Sequence, residues 1–383
     1  MTPKVTHNIF ERLLDDIRKN EFSGYDPYDA LMGCFNPGPL SKYWIQAGKR
    51  CPLNFRPLFA IRKTRNPKAI GIILEALSTY YSFTRQRSLL PDMHRLFRWL
   101  QQNKSGGYCG AGWGYPFHWF SANLFIRAYT PSVVATASIG RGIYQYYRVT
   151  GNPQAGKSLA AIKDFILKEI PVHRDGSGIC FSYTPLRRDC VYNASLMAAE
   201  ALTLAGTLAG GEEALDRAAQ ATRFVLNKQK PDGHWNYSMN IEDKTERQQI
   251  DFHQGFILES LFSIRNHHPH RFTGLEDALE SGYRFYTQQQ FHANGRSKWR
   301  LPANWPVDIH HQAQGIITHA LLSRDFDAAL KFARTIADWT IDHLYDQKGC
   351  FYYQKWPFLT NKITYLRWAQ AWMLKALSLL QHA

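Results

Sequence analysis

Two short stretches set a carboxylate beside an imidazole: Asp251-Phe252-His253 and Asp308-Ile309-His310-His311. Each opens an apolar segment of helical character. The pair then falls at a helix N-terminus, where aligned peptide dipoles favour the carboxylate anion and disfavour a charged imidazole. A neutral histidine beside an ionised aspartate can act as a general base with its orienting partner, and two carboxylates facing each other can flank a glycosidic bond. Asp251 and Asp308 are therefore the expected acid/base carboxylates, with His253 and His311 as proton-transfer partners. The plainer alternative is that each aspartate caps its helix and each histidine is a hydrogen-bonded core residue. Asp and His also ligate zinc and iron, but no H-E-x-x-H spacing and no neighbouring cysteine supports such a site, so neither metal nor cofactor is expected. The HHPH run from His267 to His270 reads as a solvated loop.

A second set of residues suits a sugar. Trp113, Tyr115, His118 and Trp119 cluster in GGYCGAGWGYPFHWF, and Tyr183, Tyr192, Asn193, Trp235 and Trp305 hold similar places further along, each near the start of an apolar run. Aromatic planes stack on the C–H faces of sugar rings while polar side chains bond the hydroxyls, the usual make-up of a concave small-ligand site. His310, Gln314 and Arg367 add polar groups to this set. Arg367, whose guanidinium fork suits a carboxylate or phosphate, is the expected anion clamp. Arg56, Arg62, Lys63, Arg65, Arg187, Arg188 and Lys362 flank the same segments, and for each of them a solvated surface role is the simpler reading.

What must position these residues is a repeat. An aromatic- or Gly/Pro-rich turn feeds a long apolar helix six times, near Asn66, Thr130, Asp189, Gln249, Pro306 and Thr364, so consecutive entrances lie 57 to 64 residues apart. A steady period of this kind marks a repeat architecture. In the second unit, Thr130-Pro131 reads as an N-cap with proline at the first helical position. Thr150-Gly151-Asn152-Pro153 then ends that helix on glycine and starts the next on an Asn cap. Segments such as VYNASLMAAEALTLAG are small or apolar on nearly every face and read as buried helices. Alternate segments such as NPQAGKSLAAIKDFILKEI carry one apolar stripe and read as outer helices. Six inner and six outer helices predict an all-α (α/α)6 toroid, one domain over residues 1–383. Residues 1–60 complete the ring, and short β-like aromatic loops stand at the mouth of a central cavity.

Composition narrows the partners. The chain of 383 residues is 45% hydrophobic and 14% aromatic, enough for a large core, and its net charge of +15 would concentrate anions. No helix-turn-helix, RRM signature or zinc module is present, so nucleic acid is not an expected partner. The G-x-G of GAGWGYP lacks the preceding strand and third glycine of a dinucleotide loop. Contact with a membrane surface or a lipid-linked glycan stays open, as does the oligomeric state. The opening MTPKVTHNIFERLLDDIRKN lacks the apolar core of a secretory signal, Glu200 breaks the best apolar run, and the six cysteines show no C-x-x-C pairing. A chain in a reducing cytoplasm is expected.

SGYDPYDAL, NFRPLFAIRKTRNPKAIG, GYCGAGWGYPFHW, TPSVVATAS, CFSYTP, DFHQGFILESL, PVDIHHQAQ and FYYQKW with YLRWAQAWMLKAL together cover nearly the whole chain. In these segments it resembles a six-hairpin (α/α)6 family of capsule and exopolysaccharide biosynthesis proteins. More remotely it is similar to unsaturated glucuronyl hydrolases, N-acylglucosamine 2-epimerases and the toroid domains of polysaccharide lyases. The resemblance implies glycan metabolism and hands down no catalytic residue. The resulting expectation is a carbohydrate-active enzyme of surface-polysaccharide metabolism acting on an anionic sugar or oligosaccharide. Glycoside hydrolysis stands narrowly ahead of epimerisation or lysis by His/Tyr proton transfer, and a non-catalytic glycan-binding scaffold is the competing class.

Overall fold

The computed structural model describes residues 3–35, 37–121, 124–268 and 274–382. Six inner helices pack side by side in chain order: α3 (Pro67–Thr84), α5 (Val133–Thr150), α7 (Tyr192–Ala209), α9 (His253–His267), α11 (Ile309–Leu321) and α13 (Ala371–His382), with α13 returning to α3 to close the ring. Behind them stand α4 (Leu90–Gln102), α6 (Pro153–Glu169), α8 (Glu212–Leu226), α10 (Leu275–Gln290) and α12 (Ala329–Leu344), while α1 (Pro3–Lys19) backs α13. This is an (α/α)6 toroid in which the N-terminal helix supplies the last outer member. One further helix, α2 (Ser41–Arg50), lies between α1 and the first inner helix in sequence. No helix among the described residues is long and apolar enough to cross a membrane.

Local chemistry explains the helix ends. Asn66 caps α3 by accepting from the Lys68 N–H, with Pro67 in the first turn. Gly151 closes α5 in the left-handed region at φ 66°, and Asn152 caps α6 by accepting from Gln154 N. The start of α5 departs from the sequence expectation. Pro131 is bridged to Gly114, so the cap falls to Ser132, whose hydroxyl accepts from Ala135 N. His267 departs too: it ends α9 and meets the Tyr144 hydroxyl through Nε2 at 2.8 Å instead of sitting in a solvated loop. Pro269 and His270 of that run lie outside the described residues.

One device recurs at five inner-helix entrances. A polar side chain in the first turns accepts a hydrogen bond from a backbone N–H of the preceding loop: Thr136 from Trp113, Ser195 from Phe181, Gln254 from Trp235, Gln312 from Ser297 and Gln370 from Phe351. Gln254 and Gln370 also donate to the carbonyl of the residue they clamp. The glutamines of DFHQ, HHQ and RWAQ are thus loop anchors. They hold the short antiparallel strand pairs that form the rim, including Val307–Asp308 with Gln354–Lys355 and Thr360–Asn361.

The centre of the ring is polar. Every inner helix sends one side chain into it: Glu75, Arg141, Glu200, Glu259, Gln314 and Lys375, in helix order. Arg141 pairs with Glu200 and, at 2.8 Å, with Glu259; Lys375 pairs with Glu259 and, at 2.7 Å, with Glu75; Gln314 donates to Glu259 at 3.2 Å. Buried charges persist when partnered in this way. The hexad separates the two ends of the toroid.

Candidate active site

A cavity of about 540 Å³ opens where the inner helices begin. Helix N-termini and rim loops converge there, an arrangement that favours anions. A larger hollow of about 760 Å³ lies at the opposite end, lined by Thr79, Arg148, Asn266 and Arg324. At that end the helices expose carbonyls, and arginines there complement the dipole, so the N-terminal cavity is the better candidate despite its smaller volume.

Of the sequence-expected residues, Asp251, His253, His310, Arg367, Tyr115, Trp119, Tyr183 and Asn193 line this cavity. His253 Nδ1 lies 2.5 Å from Asp251 Oδ1, and Gln249 donates to the other carboxylate oxygen at 2.9 Å. Burial alone would raise the Asp251 carboxyl, but the charge of His253 and these hydrogen bonds outweigh it and hold the group at about 2. His310 Nδ1 lies 3.1 Å from the Trp368 carbonyl, which assigns the hydrogen to Nδ1 and the lone pair to Nε2. Burial, reinforced by the Arg367 guanidinium, drives the His310 pKa well below its usual value. Neither Nε2 has a protein partner among the described residues. The Phe252 ring sits between the two imidazoles, 4.3 Å from His253 and 4.7 Å from His310 between centroids.

The rest of the expected set is elsewhere. Asp308 is fully buried behind the rim, capping α11: Oδ1 accepts from His310 N and Trp368 Nε1, both at 2.9 Å, and Oδ2 from Gln354 at 2.8 Å. Having no free oxygen and no face in the cavity, it orients His310 and Trp368. His311 turns away, with Nδ1 2.9 Å from the Lys298 carbonyl and its ring against Tyr286 and Phe291; burial lowers its pKa to about 4. Asp251, His253, Asp308 and His311 therefore do not converge on one cavity. Helical rotation is the reason: consecutive residues in a first turn point about 100° apart, and it is His310 that faces in.

Trp113 and Trp235 are core residues with one shared job, each donating Nε1 to an outer-helix carbonyl, of Leu100 and Val225 respectively. Their recurrence at equivalent loops is architectural. Trp305 packs under the Arg296 guanidinium at 4.4 Å, exposed His118 accepts from Ala128 N, Tyr192 donates to Glu246, and Gln314 belongs to the hexad. Among the flanking cations, Arg187 lines the cavity, whereas Arg56 is fully buried in a 2.7 Å ion pair with Asp29.

The structure adds residues that the sequence reading passed over. Helix α2 lays Lys42, Gln46 and Lys49 along the cavity, and their spacing of four and three residues was a legible sign of one helical face. Tyr237, Phe256, Trp299, Arg300 and Trp368 join the walls, and Lys68 reaches the cavity from α3. Arg367 and Trp368 sit in a π-helical turn, Leu366–Gln370, a local widening common at functional positions. Arg367 is held in two bonds by Asp26, at 2.6 and 2.7 Å, and lies 4.7 Å over the Tyr115 ring. Seven basic side chains line the cavity, Lys42, Lys49, Lys68, Arg187, Arg247, Arg300 and Arg367, against the carboxylates Asp189 and Asp251. Among the described residues, no group of three or more His, Cys, Asp or Glu side chains could hold a metal ion.

Among solved structures, the chain is similar to cellobiose 2-epimerase from Bacillus thermoamylovorans, with 14% identity and a TM-score of 0.66 over 85% of this chain and 90% of that one. It is similar to an unsaturated glucuronyl hydrolase specific for heparin, at 14% identity and 0.64 over 99% and 96% of the two chains. A third likeness is to a possible member of the GH105 family from Salmonella enterica serovar Paratyphi A, at 10% identity and 0.70 over 100% and 95%. No family model and no curated protein matches the sequence. At these identities the likeness establishes the fold, that of six-hairpin toroids, and leaves the reaction to the site.

Proposed function

We propose that this chain is an enzyme that epimerises or isomerises an anionic sugar by moving a proton at the carbon next to its carbonyl. The observation that carries this reading is the pair His253 and His310, two imidazoles from neighbouring inner helices with Nε2 unclaimed at one cavity. One imidazole takes the proton at Nε2, leaving an enediolate, and the other, entering the step protonated at Nε2, returns a proton to the opposite face; in an isomerisation the first imidazole returns its own proton to the neighbouring carbon. The surrounding lysines and arginines offset the oxyanion and bind a carboxylate or phosphate. The cellobiose 2-epimerase likeness agrees with such chemistry, and the resemblance to polysaccharide biosynthesis proteins suggests a surface-glycan precursor.

Hydrolysis, favoured on sequence, loses one of its two carboxylates with Asp308 buried. It survives as a second reading through Asp189, which lines the cavity and whose carboxyl is raised by burial, as a general acid requires. Proton NMR in deuterated buffer separates the two. Loss of the signal at the carbon next to the carbonyl, with appearance of an epimer or ketose and its abolition in His310→Ala, supports proton transfer. Release of a reducing end from uronyl oligosaccharides without deuterium incorporation overturns it in favour of hydrolysis.

A further inference from the structure

Lys68 is the least expected group in the cavity. It is the second residue of α3, only 4% exposed, yet it lines the cavity wall. Among the described residues its Nζ makes no ion pair and no hydrogen bond. Its nearest recorded neighbours are aromatic faces, Trp372 at 5.3 Å and Phe256 at 5.6 Å.

An ammonium fits that position poorly. Burial removes its water, Arg367 and Arg141 press on it with like charge, and the opposing attraction of Glu259 and Asp26 does not offset them. The positive end of α3 adds to the same effect. The amine is accordingly held well below the ordinary lysine range. A neutral, desolvated amine with a free lone pair is a nucleophile, and lysines in apolar pockets beside other cations serve in this way. A merely structural lysine would be expected to carry a carboxylate partner, as Lys375 does with Glu75 and Glu259.

We propose that Lys68 condenses reversibly with the aldehyde of an open-chain anionic sugar. Nζ adds its lone pair to the carbonyl carbon, and the oxygen takes up the proton that the nitrogen gives up, which yields a carbinolamine. Loss of that hydroxyl as water, with a proton drawn from solvent in the open cavity, gives a protonated imine; water reverses the step. The imine cation draws electrons from the adjacent C–H more strongly than the aldehyde does, which would ease proton removal by His253 or His310. The proposal rests on the proton-transfer reading for its role in turnover, but the condensation itself can be tested without turnover.

The probe is pyridoxal 5′-phosphate, used purely as an aldehyde that carries an anion. Native protein is treated with it at near-stoichiometric amounts and neutral pH, reduced with borohydride and mapped by peptide mass spectrometry. The expected result is label concentrated on the peptide containing Lys68, suppressed by excess D-glucuronate and lost in Lys68→Met. Label spread over exposed lysines, with the Lys68 peptide unmodified, overturns the proposal. Because the readout is the position of the label in the wild-type chain, it stands even if Lys68→Met fails to fold. Trapping at Lys68 without hydrogen exchange at any sugar would sink the epimerase reading alone; exchange without trapping would sink the imine alone.

Discussion

His253 receives Asp251 twice: Asp251 Oδ1 lies 2.5 Å from His253 Nδ1 and 3.2 Å from the backbone N–H of the same residue. One oxygen therefore fixes both the helix start and the orientation of the imidazole. Asp251→Asn keeps the shape but can present an N–H to Nδ1, turning the tautomer so that Nε2 loses its lone pair. The expected effect is a fall in kcat of roughly 10²-fold or more with KM little changed. Steady-state kinetics on the deuterium-exchanging sugar would test it, and an unchanged kcat would remove Asp251 from the mechanism.

The central hexad should behave as a unit. Arg141 touches Glu200 and Glu259, so Arg141→Met leaves two buried carboxylates short of a partner, at a cost of about 3–5 kcal/mol. Adding Glu259→Gln to that variant should cost less than the two single changes combined, because one orphaned charge disappears. Urea unfolding of both single variants and the double variant checks this; strict additivity would mean the pairs are independent.

The same charges set the response to acid. Glu259 is held at about 2 against a usual 4.5: burial would raise it, but Arg141 and Lys375 prevail. Asp251 is held at about 2 against 3.8. A depressed folded-state pKa contributes stability that is full above the unfolded value and is lost as pH falls through the folded one. Unfolding midpoints should thus decline between about pH 4.5 and 2. Glu75, raised by burial, works the other way, its contribution fading as pH rises. Replacing Glu259 by Gln should flatten the acid limb, and a limb of unchanged steepness would contradict the assignment.

Much of this architecture could be read from residue order. The period of the entrances, the cap at Asn152, and the glycine stop at Gly151 are local signals that tertiary packing left intact. The site was half legible. Asp251, His253, Tyr115 and Arg367 announced themselves by type, whereas the choice of His310 over His311 depends on how α11 is rotated about its axis, which the whole ring decides. Trp113 and Trp235 misled because a residue repeated for architecture looks like one repeated for binding. Lys68 carried no signal: one lysine at a helix start means nothing until Trp372 and Phe256 from distant helices surround it.

Close backbone approach between α3 and α5 supplies a test of the ring itself. A Cβ built on Gly142 would come within 2.2 Å of the Gly71 carbonyl oxygen, and one on Gly71 within 2.7 Å of Ile139 Cα. Neither neighbour is a flexible side-chain end, so the helices themselves must part. Gly142→Ala is expected to destabilise by about 3 kcal/mol through overpacking. A thermal melt indistinguishable from wild type would show that the two helices are looser than described.

The balance of charge along the cavity decides what enters. Arg367 is neutralised by Asp26, and Arg187 is paired with Asp189 at 3.3 Å, but among the described residues Lys49 bonds only the Tyr28 hydroxyl, at 2.7 Å, and lies 5.2 Å from the Trp368 ring. Lys49 therefore has charge to spare for a ligand at the α2 side. Partial exposure makes its attraction sensitive to salt, since the Debye length shrinks from about 10 Å at 0.1 M to about 3 Å at 1 M. Raising salt over that range should increase KM for a uronate or sugar phosphate several-fold while leaving a neutral sugar unaffected. Lys49→Met should raise the anionic KM in low salt and remove much of the salt dependence, with kcat held. If KM for the charged sugar proves indifferent to both salt and this substitution, the cavity is not selecting its substrate by charge, and the excess of cations must serve the enediolate instead.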